Sequence, residues 1–174
     1  MSRALRIHKE VLASLAQGQR PFATILGCSD SRVPPELIFD AEFGSLFIIR
    51  VAGNVMAPSL AGSLQYAGTH LRTQLVLGHE GCGEVQAALA AKFEGAQQRS
   101  RIQWLLENML PGLDGIDPRV PSPKKLASAV EANVRWTMRQ IIETPEGRAR
   151  LAEGGMKLAG AVCEIATGRV RLRA

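Results

Sequence analysis

Two short segments carry side chains of the kind that bind metal ions: Cys28-Ser29-Asp30-Ser31-Arg32 and Gly78-His79-Glu80-Gly81-Cys82-Gly83. His79 and Cys82 stand three residues apart, which lets both face one ion from a turn entering a helix. Cys28 supplies a third donor from a distant part of the chain. Zinc accepts mixed thiolate and imidazole ligands, and three protein ligands leave a fourth tetrahedral position open for chemistry. Alone, each residue has a plainer reading: a lone cysteine is more often a small buried hydrophobe, and His-x-x-Cys by itself is weak. The pairing of two such segments, each flanked by glycine, carries the metal reading.

Asp30 and Arg32 add to it. A carboxylate two residues from a ligand thiolate can itself bind zinc and close the fourth position. A neighbouring guanidinium holds such a carboxylate off the metal through a bidentate pair. The plainer alternative is an ordinary loop ion pair. Cys163 has no comparable company and reads as core, and His8 and His70 fall in helical patterns that suit structural roles.

The elements that must position these residues follow from hydrophobic spacing. Residues 4–16 read as an amphipathic helix, with Ala4, Ile7, Val11 and Leu15 on one face and Gly18 beyond its end. Short apolar runs at 22–26, 46–49 and 75–77 read as buried strands. Helical spacing recurs at Leu60–Leu71, from about Glu84 to Ala91, and at Ile102–Met109, where Pro111-Gly112 ends it. Leu126, Val130, Val134 and Met138 form the face of a long helix, after a Gly/Pro/Asp-rich loop at 112–123. Leu158–Val162 with Ile165 gives a last strand, followed by a hairpin turn at Thr167-Gly168-Arg169. Short strands alternating with helices predict a parallel α/β sheet. Sites in such sheets gather beyond the carboxyl ends of strands, where Cys28, Gly53-Asn54 and His79 all fall.

With 174 residues the chain reads as one domain spanning 1–174. No apolar run approaches the ~18 residues of a membrane span, and the N-terminus lacks a signal peptide's apolar core, so a cytoplasmic protein is expected. Three cysteines make no disulfide framework and point to metal, catalysis or burial. The net charge of +5 invites a nucleic-acid reading, but the basic residues are scattered and aromatics make up only 5%. No nucleic-acid partner is expected.

The segment Cys28–Glu36 resembles the signature of the β-class carbonic anhydrases, and Gly78–Gly83 is similar to that family's second motif. Between them, Gly44–Asn54 resembles the family's middle segment. Ser63–Ala67, Glu131–Val134, Gly160-Ala161 and Thr167–Val170 resemble later parts of it, so the likeness runs from about Gly18 to Val170. It implies an α/β fold with a central, mostly parallel four-stranded sheet flanked by helices, and a homodimer often paired into tetramers. It implies one zinc ion per chain on Cys28, His79 and Cys82, with Asp30 and Arg32 as the gating pair. By the same likeness Gln19 binds substrate from across the dimer interface, Phe47 and Tyr66 line the carbon dioxide pocket, and the Gly83 N–H orients substrate. The implied activity is reversible hydration of carbon dioxide to bicarbonate and a proton by zinc-bound hydroxide.

The chain departs from the family in places. The connector from Tyr66 to His79 is two residues shorter than usual, and the expected loss falls within Arg72–Leu77. The N-terminal arm is also shorter. Ile25 stands where a bicarbonate-inhibited subset carries tryptophan, which argues against that allosteric site. Two alternatives stay open: a non-catalytic or weakly active zinc-binding relative, and a hydrolase of carbonyl sulfide or carbon disulfide. A thiol redox protein fits poorly, since the chain has no Cys-x-x-Cys.

Overall fold

A computed structural model describes residues 8–173. Its centre is a five-stranded sheet in the order β2-β1-β3-β4-β5. Strands β1 (Ala23–Cys28), β2 (Leu46–Val51), β3 (Thr73–His79) and β4 (Lys157–Cys163) run parallel. The fifth strand, β5 (Val170–Arg173), pairs antiparallel with β4. The sequence expectation of four strands is thus one short. The segment read as a terminal turn continues into a hairpin, in which Cys163 faces Val170.

The helices follow in chain order: α1 (Lys9–Leu15), α2 (Pro35–Ile38), α3 (Pro58–Gly68), α4 (Gly83–Glu94), α5 (Ser100–Met109), α6 (Ser122–Glu143) and α7 (Pro145–Ala152). Part of the expected first helix, including Ala4 and Ile7, lies outside the described residues, and α1 itself buries no side chain. The sequence reading missed α7, although Thr144 caps it by accepting the Gly147 N–H and Pro145 occupies its first turn. No helix among the described residues is long and apolar enough to cross a membrane.

Strand β1 is central and buried along its whole length, as expected of a strand covered on both faces. Phe22, predicted to share that burial, lies just outside it and is exposed. The shortened connector does not truncate β3, which keeps seven residues paired to β4 from Thr73–Lys157 to His79–Cys163. The carboxyl ends of β1, β2 and β3 therefore lie side by side, with Cys28 opposite Val51.

Helix α6 packs on β3 and β4 and meets the site from below. Its buried face holds Val130 and Val134 as predicted, while Leu126 and Met138 are only half-buried. The face is rotated to bury Asn133 and Thr137 instead, and each donates to a main-chain carbonyl. Asn133 Nδ2 donates to Gly53 O at 2.8 Å, and Thr137 Oγ1 donates to Asn54 O at 3.1 Å. These bonds pin the tight 3₁₀ turn Ala52–Asn54, in which Gly53 has φ +67° and Asn54 φ +45°. Glycine suits position 53 because its φ is left-handed, and a Cβ there would also press on the end of Met109 and crowd Glu84 Cβ at 3.2 Å.

Replacing Asn133 by Ala leaves the Gly53 carbonyl buried without its donor. Urea denaturation is expected to register a loss of about 1–3 kcal/mol, and an unchanged midpoint would show that the bond does not hold the turn.

Candidate metal centre

Cys28 ends β1, His79 ends β3, and Cys82 caps the start of α4, so three separate local structures converge on one point. One donor atom from each lies within 4.8 Å of the others, and all three side chains are buried. Gly81, at φ +64°, makes the turn that brings Cys82 back beside His79 within three residues.

The imidazole is oriented by its own backbone. Nδ1 lies 3.0 Å from the Glu80 carbonyl, which fixes the proton there and leaves Nε2 as a bare acceptor. Nε2 is buried and has no hydrogen-bond partner. A buried polar atom left unpaired is costly, and this one faces the two sulfurs. The donor set of two thiols and one imidazole fits zinc, with room for a fourth ligand.

Hydrogen bonds to Cys28 favour its thiolate. It accepts from the Cys82 thiol and from the N–H groups of Asp30 and Gly53 at 3.4 and 3.3 Å. The Cys82 contact is the largest of these influences, and together they outweigh burial and pull the Cys28 thiol well down. Cys82 is pushed up by that same contact and by burial, because the two sulfurs share one proton. A dication that displaces this proton lets both ionise.

Asp30 sits beside the cluster, its Oδ2 3.8 Å from His79 Nε2. Arg32 grips it with two parallel bonds, Nε to Oδ1 at 2.9 Å and Nη2 to Oδ2 at 2.6 Å. That grip holds the Asp30 carboxyl far below the usual carboxylate range. Arg32 is tied in turn to the Gly81 carbonyl, and Arg50 bonds the carbonyls of Cys28 and Asp30. Gly83 opens α4, and the first-turn N–H groups of a helix have no partner within it.

Gln19, Phe47 and Tyr66 are brought together, but not at this centre. They line a separate cleft of about 240 Å³ with Pro21 and His70. The Phe47 and Tyr66 rings lie 6.0 Å apart, and Tyr66 meets His70 edge-on at 5.6 Å. Phe47 pairs with Thr24, four residues before Cys28 and so about 13 Å from it along the strand. Cys163 is buried in β4, as expected of core.

One residue that sequence reasoning passed over stands against the two sulfurs. Glu84, in the first turn of α4, puts Oε2 at 3.5 Å from Cys82 Sγ and 3.9 Å from Cys28 Sγ. Its only signal in the sequence is its position two residues after Cys82.

The model of the carbonic anhydrase family matches residues 23–170. A carbonic anhydrase of Mycolicibacterium smegmatis is 36% identical over 164 residues, which span 92% of this chain and 79% of the relative. Carbonic anhydrase 2 of Mycobacterium tuberculosis is 35% identical over 92% of this chain and 78% of its own length. Among solved structures, the β-carbonic anhydrase CcaA superposes with a TM-score of 0.85 at 25% identity, covering 96% of this chain and 86% of that one. A tetrameric β-carbonic anhydrase of Sordaria macrospora shares the fold with a TM-score of 0.81 at 24% identity, over 92% and 84% of the two chains. The Cys28–His79–Cys82 cluster of the present chain is consistent with a zinc site of that class, and the chain belongs to the β-class carbonic anhydrase family.

Proposed function

We propose that this chain holds one zinc ion on Cys28, His79 and Cys82 and catalyses the reversible hydration of carbon dioxide to bicarbonate and a proton. The observation that carries the reading is the buried, unpartnered Nε2 of His79 converging with two thiols within 4.8 Å. Zinc so held supplies a Lewis acid that makes water nucleophilic near neutral pH.

The protein's own groups do the rest. Asp30, kept ionised and held by Arg32, accepts a hydrogen bond from the attacking water and aims its lone pair. The grip of Arg32 also keeps Asp30 from closing the open position. The Gly83 N–H, free at the start of α4, orients a substrate oxygen. The water oxygen adds to the carbon of carbon dioxide, one C–O π bond opens onto oxygen, and the surplus proton passes to solvent.

Gln19, Phe47 and Tyr66 serve the centre of a second copy in a homodimer. Their cleft lies far from their own chain's thiols, and it is half open, with Tyr66 55% exposed. Phe22 and Phe43, at 66% and 59% exposure, add apolar surface of the kind that a partner covers.

Purified protein is expected to carry zinc near one equivalent per chain and to hydrate carbon dioxide rapidly in stopped flow, with both lost in Cys82→Ser. Zinc without hydration at any pH between about 6 and 9 would leave a metal-stabilised relative. For the assembly, mixed dimers of Tyr66→Ala with Cys82→Ser chains have a clear expectation. The only centre retaining metal belongs to the Tyr66→Ala chain and is lined by the other chain's intact Tyr66, so it should work at the wild-type rate per zinc. A rate matching the Tyr66→Ala homodimer would mean that Tyr66 acts within its own chain.

A further inference from the structure

The carboxylate of Glu84 is half-buried against two sulfurs and, among the described residues, makes no ion pair. Its recorded contacts are with the thiols of Cys82 and Cys28. Asp30 differs sharply, since Arg32 neutralises and restrains it. Two ligands on one tetrahedral zinc, at ~2.3 Å for sulfur and ~2.0 Å for oxygen, stand about 3.5 Å apart. The Glu84–Cys82 separation of 3.5 Å is of that size. Glu84 nonetheless lies outside the set of donors that are mutually within 4.8 Å. It therefore flanks the cluster from the sulfur side without belonging to it.

Two consequences follow, and they point the same way. Turned toward the ion, the carboxylate competes for the open fourth position. Left where it is, it sets a negative charge within 3.5 and 3.9 Å of two of the sulfurs, with no ion-pair partner among the described residues to cancel it. In both cases an arriving anion is disfavoured, while a neutral linear molecule meets no such repulsion. We propose that Glu84 is a specificity-determining residue that discriminates against small monovalent anions at the metal centre, admitting neutral carbon dioxide and hastening the loss of anionic bicarbonate. The proposal rests on the zinc reading above.

A purely structural role makes a different prediction. An acidic residue in the first turn of α4 favours the helix through its dipole, and its loss then changes stability alone. Anion affinity tells the two apart. In cobalt-substituted protein, visible absorption follows thiocyanate binding without any turnover. Glu84→Gln and Glu84→Ala are expected to bind thiocyanate about tenfold more tightly than wild type, or more, whereas Glu84→Asp, which keeps the charge, stays close to wild type. Where Glu84→Gln does not fold, Glu84→Ala carries the same comparison. Thiocyanate affinity unchanged in the neutral variants that take up cobalt overturns this proposal alone. A wild-type chain that takes up neither cobalt nor zinc overturns the zinc reading and this proposal with it.

Discussion

Two thiols and an imidazole, buried within 4.8 Å of one another, form an arrangement that is costly without a positive charge at its centre. Everything around the site serves to hold that arrangement in place. The parallel alignment of β1 and β3 sets Cys28 and His79 at neighbouring strand ends, and the left-handed turn at Gly81 returns Cys82 to them. The Glu80 carbonyl fixes the tautomer of His79, and the amides of Asp30 and Gly53 point at the Cys28 sulfur. The fold reads as a scaffold for donors that repel one another.

Support for the centre extends well beyond its ligands. The turn Ala52–Asn54, whose amide reaches Cys28, is held from below by Asn133 and Thr137 of α6. Arg50 secures the Cys28–Asp30 segment through two of its carbonyls. Helix α6 itself is seated by Val130 and Val134 against Gly78, where a Cβ would come within 2.7 Å of Val134. A chain of packed and hydrogen-bonded groups thus connects the largest helix to the geometry of one sulfur. Support of this kind for a ligand commonly changes metal affinity by about 10- to 100-fold when it is removed.

Much of this was legible in the sequence because it is local. The apolar runs that became β1, β2 and β3, the glycine-flanked His79-Glu80-Gly81-Cys82 turn and the Asp30–Arg32 pair all show themselves within a few residues. What stayed hidden depends on contacts between distant segments. Glu84 meets Cys28 across 56 positions and Asn133 meets Gly53 across 80, and neither pairing leaves a periodic trace. Hydropathy extended the core stripe of α6 from Val130 and Val134 to Leu126 and Met138 because it treats Asn133 and Thr137 as outward-facing, whereas both are buried and donate to main-chain carbonyls. Strand β5 was missed because its four residues alternate with arginine on an edge. Gln19, Phe47 and Tyr66, named by the likeness to the family, line one cleft, and the register of Phe47 with Thr24 reveals its distance from Cys28.

The central claim is that one ion joins Cys28, His79 and Cys82. X-ray absorption at the zinc edge of the purified protein tests it most directly. The account predicts a first shell of two sulfurs at about 2.3 Å, one imidazole nitrogen at about 2.0–2.1 Å and one lighter ligand. A shell without sulfur, or one built only of nitrogen and oxygen, would contradict it.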